Sequence, residues 1–143
     1  MMKKLQAFFA AYEQRFNDVL ASGATDVEAT AGAFADYFVE SSPRGVMGGK
    51  NDEKFREMIP KGNEFYRNIG TLSMKIGSLD ITQLDNLHAV AKTHWKAGYK
   101  NNINIAFDVF YMVTLAGGEP KIFAYVTGDE QKVLQEHGLV PKQ

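Results

Sequence analysis

Asp108 is the one carboxylate in an otherwise apolar stretch, Ile103 to Leu115. A carboxyl among apolar neighbours is costly to ionise unless it is paired or protonated. Burial raises its pKa, so it can donate a hydrogen bond or trade a proton near neutrality. Tyr125 lies on the next apolar run, where its hydroxyl can reach a ligand or Asp108. Asp108 and Tyr125 are therefore the candidate catalytic pair. The competing reading is an Asp108 satisfied by a neighbouring Lys, Tyr or backbone group, with Tyr125 a core aromatic. Around this pair stand Tyr12, Phe16, Trp95, Tyr99, Phe110, Met112 and Phe123 as candidate ligand-binding side chains. Each has a second reading as ordinary core, which aromatic residues dominate in any case.

Other chemistries are excluded by residue type or spacing. There is no cysteine, hence no disulfide, thiolate nucleophile or thiolate metal site. His88 and His94 fall on one predicted strand about 20 Å apart, too far to share a metal. Gly45-Val46-Met47-Gly48-Gly49-Lys50-Asn51 is one residue short of a phosphate loop, and Asn51 stands where Mg²⁺ needs Ser or Thr. It reads as a flexible pocket rim. No nucleophile elbow is present. No metal and no cofactor are expected.

The positioning elements follow from periodicity. Leu5, Phe8, Phe9, Tyr12, Phe16, Val19 and Leu20 form one helical face from about Lys4 to Ser22, with Gly23 placed to end it. Thr25-Asp26-Val27-Glu28 matches a capping box opening a second helix through about Asp36. Tyr37 to Val39 reads as a short strand stopped at Ser41-Ser42-Pro43. A third helix is predicted over Asp52 to Asn68, kinked or split at Pro60. Thr127-Gly128-Asp129-Glu130 is a second capping box, opening a last helix to about His137 that Gly138 ends.

Between them, Asp85-Asn86, Asn101-Asn102 and Gly117-Gly118 are dipeptides suited to hairpin turns. They punctuate a meander of about four antiparallel strands. In the first strand, from Thr71 to Leu84, the apolar positions change from even to odd at Gly77-Ser78, which predicts a β-bulge and a bend. Along Leu87 to Tyr99 the odd positions, including Trp95 and Tyr99, should face inward and the even ones, including His88 and His94, outward. Ile103 to Leu115 is apolar on both faces, which implies that both are covered. Phe123 and Tyr125 are expected to share the interior with Asp108.

The chain of 143 residues reads as one domain. It can bury roughly two-thirds of its unfolded surface, enough for a core without staples. A net charge of −1 with dispersed Lys and Arg argues against nucleic acid as a partner. No run approaches the ~20 apolar residues of a membrane span, and the N-terminus reads as an amphipathic helix, so no membrane partner is expected and the expected location is cytoplasmic.

The element order, together with Phe38-Val39-Glu40-Ser41-Ser42-Pro43-Arg44-Gly45 and Gly117-Gly118-Glu119-Pro120-Lys121-Ile122, resembles the nuclear transport factor 2-like superfamily, which includes ketosteroid isomerase and SnoaL-like cyclases. The resemblance implies an α+β cone-shaped barrel. Three N-terminal helices would pack on a strongly curved antiparallel sheet, made of a four-strand meander plus a short strand, with a short C-terminal helix. It implies a homodimer through the outer sheet face and a pocket for a hydrophobic small molecule, with isomerase, cyclase or dehydratase chemistry. The alternative is a non-catalytic dimeric interaction module. The isomerase's aspartate on the equivalent strand corresponds to Asp108. Its general-base position, before the proline, holds Ser42 here, and the nearest carboxylates are Glu40 and Asp36. Its helix-borne tyrosine falls near Arg15 or Phe16, one turn beyond Tyr12.

Overall fold

Polar side chains of the first helix decide where the sheet meets it. In this computed structural model, which describes residues 1–141, α1 spans Met2–Ser22. Its apolar stripe buries Leu5, Phe9 and Val19. From the flank of that stripe, Asn17 donates to the Met74 carbonyl at 2.6 Å and accepts from the Met74 N–H at 2.9 Å. Glu13 accepts the Ile76 N–H at 2.5 Å. These bonds occupy the free edge of β3 (Thr71–Gln83), which would otherwise offer unpaired backbone groups. Gly23 closes α1 at φ 78, a left-handed conformation that glycine adopts without penalty.

α2 is short, Val27–Ala31, and does not continue to Asp36 as periodicity suggested. Asp26, not Thr25, is its N-cap and accepts from the Ala29 N–H at 3.0 Å. Gly32 ends the helix, and the Ala33 carbonyl then accepts the Ile122 N–H at 2.8 Å, drawing the chain into the sheet. β1 accordingly runs Phe34–Ser42, longer than the expected Tyr37–Val39. The glycine-rich segment read as a loop is a strand, β2 (Gly45–Lys50), paired antiparallel with β1. A Cβ at Gly48 would lie 2.6 Å from Val39 Cγ1, so the close pairing needs glycine there.

α3 (Glu53–Asn68) is capped by Asp52, which accepts from the Phe55 N–H at 3.0 Å. It passes through Pro60 as one helix, without the expected division. Pro60 lies on the exposed side, where water can satisfy the carbonyl that the ring leaves without a donor.

β4 (His88–Tyr99), β5 (Ile103–Thr114) and β6 (Lys121–Val126) complete an open six-stranded sheet of order β2-β1-β6-β5-β4-β3. The β1–β6 pair is parallel and the others are antiparallel. The sheet thus has one more strand than expected, is mixed, and does not close into a barrel. The meander itself follows the expected order. Asn101 and Asn102 take φ 65 and 60 in the β4–β5 turn, which sets Tyr99 opposite Ile103. The expected bulge is present, with Ile76 opposite Trp95 but Ser78 opposite His94, so Gly77 is the extra residue. Another register shift, between Met112 and Val113, makes Phe123 the extra residue in β6. α4 spans Glu130–Glu136 and is capped by Asp129, which accepts from the Lys132 N–H at 3.1 Å, so Thr127 is not the cap.

Alternation on β4 buries every odd residue from Ala89 to Tyr99. Its partner β5 buries Ile105, Val109, Tyr111 and Val113. This inner face packs on α1, where Phe9 meets Tyr111 at a ring-centroid distance of 5.3 Å. Among the described residues no helix is long and apolar enough to cross a membrane.

Asp52→Ala removes the cap of α3 and should cost about 1 kcal/mol of stability, read as a lower urea midpoint with an unchanged m-value.

Candidate functional site

The inner face does not fill completely. Between α1, α3, α4 and the strands lies a cavity of about 300 Å³, and two carboxylates face it, Glu40 and Glu130. Glu40 comes from β1, where alternation turns Phe38 and Glu40 inward and leaves Tyr37 and Val39 exposed on the other face. Glu130 is the first residue of α4, at the mouth of the cavity. Glu130 is an exposed residue whose carboxyl bonds to α3.

Each carboxyl has its own tyrosine. Tyr125 stands opposite Glu40 in the β1–β6 register and donates to Glu40 Oε2 at 2.8 Å. Tyr66 of α3 donates to Glu130 Oε1 at 2.5 Å. Above them Tyr12 and Phe16 of α1 face Trp95, with ring centroids 6.3 and 6.4 Å away, and Tyr12 lies 5.9 Å from Tyr111. Trp95 is 2% exposed, and its buried Nε1–H makes no hydrogen bond of ordinary geometry among the described residues but lies close enough to the Tyr111 hydroxyl to lower its pKa against the larger effect of burial.

Burial sets the protonation states. It raises the pKa of Glu130, the Tyr66 hydrogen bond opposes that, and the nearby Glu40 charge raises it further. Tyr66 is pushed well above its usual range by burial and then by the Glu130 charge. Burial followed by the Glu40 charge raises Tyr125. Burial also raises Tyr12 and Tyr111. Tyr99 is pushed up to about 12 by burial and then by the Glu130 charge. All these hydroxyls are therefore protonated at neutral pH and act as donors. The arrangement can hold a proton at Glu130 and sets a second carboxyl, Glu40, on the same cavity.

Of the residues singled out from the sequence, Tyr12, Phe16, Trp95 and Tyr125 are brought together here. Tyr99 faces inward but lines a neighbouring cleft against α4. Four residues are elsewhere. Asp108 points to the opposite face, where its Oδ1 lies 2.7 Å from Nδ1 of His94, directly across the β4–β5 ladder. Its side chain is 42% exposed, so it is not a carboxyl in an apolar interior. Phe110 and Met112 share that outer face because they alternate with the buried odd residues. Phe123 is turned outward by the β6 bulge, edge-on to His88 at 6.1 Å.

The misplacement of Asp108 has a definite cause. β5 is apolar on both faces, so its own pattern names no inner side. The Asn101-Asn102 turn does: pairing Tyr99 with Ile103 puts odd opposite odd, and hence Asp108 beside outward-facing His94. Glu40, Tyr66, Tyr111 and Glu130 were not selected from the sequence. Glu40 could have been found from the period-two alternation of β1, but only once its full length is known. Tyr66 reads as part of an apolar helix stripe and Glu130 as a capping residue, and no local signal brings them together.

A larger concavity of about 580 Å³ lies between the end of α1, α3 and the start of β3, beside Arg67 and Lys100. It holds neither carboxyl–tyrosine pair. Among the described residues no group of three or more His, Cys, Asp or Glu is placed to hold a metal ion.

A family model described as "NTF2-like protein (DUF6841)" matches residues 3–130. Solved structures resemble the chain at low identity. An NTF2-like protein of unknown function from Shewanella oneidensis is 12% identical with a TM-score of 0.64, over 90% of this chain and 98% of the other. A ketosteroid isomerase-like protein from Erwinia carotovora atroseptica is 16% identical with a TM-score of 0.58, over 86% and 91%. A scytalone dehydratase-like protein from Novosphingobium aromaticivorans is 15% identical with a TM-score of 0.63, over 88% and 81%. At these identities the likeness is one of fold. No curated protein matches the sequence significantly.

The raised pKa of Glu130 predicts a pH signature. A carboxyl whose folded value lies above its ordinary 4.5 contributes stability that is complete below that pH and is lost as pH rises through the folded value. Thermal unfolding of Glu130→Gln should lack this decline, so the wild-type Tm should fall relative to the variant as pH is raised from 4 towards neutrality. Parallel Tm–pH curves would show that Glu130 titrates normally.

Proposed function

The chain belongs to the NTF2-like family DUF6841, and from that premise we propose that it binds a hydrophobic small molecule in the cavity and moves protons on it. The observation that carries this reading is the presence of two carboxyl–tyrosine pairs, Glu40–Tyr125 and Glu130–Tyr66, facing one cavity. Paired carboxyls whose environments differ can divide the roles of acid and base. Glu130, with its raised proton affinity, would deliver or hold the proton, and Glu40 would take one from carbon beside a carbonyl. Isomerisation, cyclisation and dehydration all fit these parts, and the isomerase-like and dehydratase-like neighbours support the same class. Asp108 has no part in this scheme, and Tyr125 is paired with Glu40 in its stead.

Exchange of the α-protons of β-tetralone in deuterated water, followed by NMR, tests the chemistry directly. The protein should accelerate exchange, and Glu40→Gln or Glu130→Gln should each reduce the acceleration by about 10²-fold or more, as loss of a positioned acid or base does. Equal exchange with the wild type and with the Glu40→Gln/Glu130→Gln double variant would remove proton transfer from the cavity.

The outer sheet face supports a second part of the proposal, a homodimer. Cross-strand pairing aligns Val39, Ala124, Met112 and Val90 in one row, and Val46, Ser41, Val126, Phe110 and Lys92 in another. Phe110 and Val126 are 40% and 49% exposed, apolar surface that a partner subunit would cover. If proton exchange fails while dimerisation holds, the protein is the non-catalytic interaction module instead. Phe110→Lys combined with Val126→Lys should convert a dimer into a monomer in light scattering, with unchanged far-ultraviolet circular dichroism. A wild-type monomer at millimolar concentration would exclude the dimer.

A further inference from the structure

We propose that the groove between α1 and α3 is a second binding site, for a small monocarboxylate with an apolar body. Tyr12 and Phe16 line both the groove and the cavity described above, but neither Glu40 nor Glu130 lines the groove.

Room is the first ground. The groove has a volume of about 210 Å³. An amphipathic helix normally closes its apolar stripe against a neighbour. α3 does not: Ile59 is the one residue it buries, and Met58, on the groove, is 58% exposed. Phe55, Met58 and Ile59 of α3 and Phe16 and Val19 of α1 line unfilled space. Gly62 stands on the same wall, inside α3, where glycine weakens a helix relative to an ordinary residue. Close packing does not require glycine there, since a Cβ at that position would meet nothing within 4 Å. Its missing side chain leaves the groove open.

Charge is the second ground. Among the described residues Arg15 is the only charged side chain on the groove, and it forms no ion pair. It is half-buried, with its guanidinium 5.9 Å from the Tyr12 ring centroid. A guanidinium presents a planar fork of donors that matches a carboxylate. One unpaired arginine beside apolar walls is complementary to a molecule with one acid group and an apolar remainder. A cationic ligand would meet repulsion there, and a polyanion would find a single partner. The small volume limits the body to a short chain or one ring.

Methionine methyl groups read the two spaces separately, because Met58 lines the groove and Met74 the cavity. The test titrates sodium octanoate, octanol and octylammonium into protein isotope-labelled at the methionine methyls and follows them by NMR. Octanoate should move the Met58 signal saturably and leave Met74 in place. It should bind at least about tenfold more tightly than octanol, as a charge-assisted pair allows. Octylammonium should bind more weakly than the alcohol. Arg15→Gln should reduce octanoate to the affinity of octanol. Gly62→Leu should keep the wild-type circular dichroism and Tm but lose the octanoate response, because the new side chain occupies the groove. Equal or tighter binding of the alcohol or the amine overturns the proposal. So does a response at Met74 in place of Met58, or an octanoate affinity that survives Arg15→Gln. If Gly62→Leu does not fold, Arg15→Gln decides alone. β-Tetralone exchange requires neither Arg15 nor Gly62, so this proposal and the reading of the cavity fail separately.

Discussion

The pairing of β4 with β5, closed by two left-handed asparagines, is the constraint on which the rest of the structure depends. A β-strand sends successive side chains to opposite faces, so a slip of one residue exchanges everything inside for everything outside. With Tyr99 held opposite Ile103, Trp95, Tyr99 and Tyr111 are committed to the interior, and His94 and Asp108 to the surface. Two irregularities adjust that frame. Gly77 lets β3 change facing beside α1, and Phe123 lets β6 present both Ile122 and Tyr125 to the interior. Without the second bulge, Tyr125 would stand among outward residues and Glu40 would lose its donor.

The cavity is lined by the groups that make it chemically capable. A carboxyl cannot be enclosed by apolar side chains without hydrogen-bond partners. Glu40 obtains its donor from Tyr125 on the neighbouring strand, and Glu130 from Tyr66 of α3. Burial then keeps the phenols protonated and raises Glu130. Electrostatics and packing are thus one arrangement: the same contacts that line the space also set the proton inventory around it.

The two sheet faces have separate tasks. The inner face carries aromatic rings and carboxyls beneath α1 and α3, and the outer face carries an apolar band flanked by the His94–Asp108 pair. That division explains why β5 looks apolar throughout. Its odd residues serve the core and its even residues serve the surface that supports the proposed dimer.

Much of the architecture was legible from local patterns. The stripe of α1, the Gly23 stop, the order of the meander and the Gly77 bulge depend on neighbours close in sequence, where periodicity and turn chemistry act. Element ends were less legible, because caps and strand lengths depend on partners: Asp26 and Asp129 displaced the expected threonines, and a segment rich in glycine became a strand only by pairing with β1. The candidate site was the least legible. Tyr12, Phe16, Trp95 and Tyr125 could be named from residue type and facing, yet the carboxyls that meet them come from β1 and α4, some ninety positions apart. The amino-acid order by itself determined the family of shapes and the aromatic character of the interior, since both arise from short-range spacing. Only the folded chain decided which acid faces the cavity, because that follows from strand register and from one bulge whose effect is felt through long-range pairing.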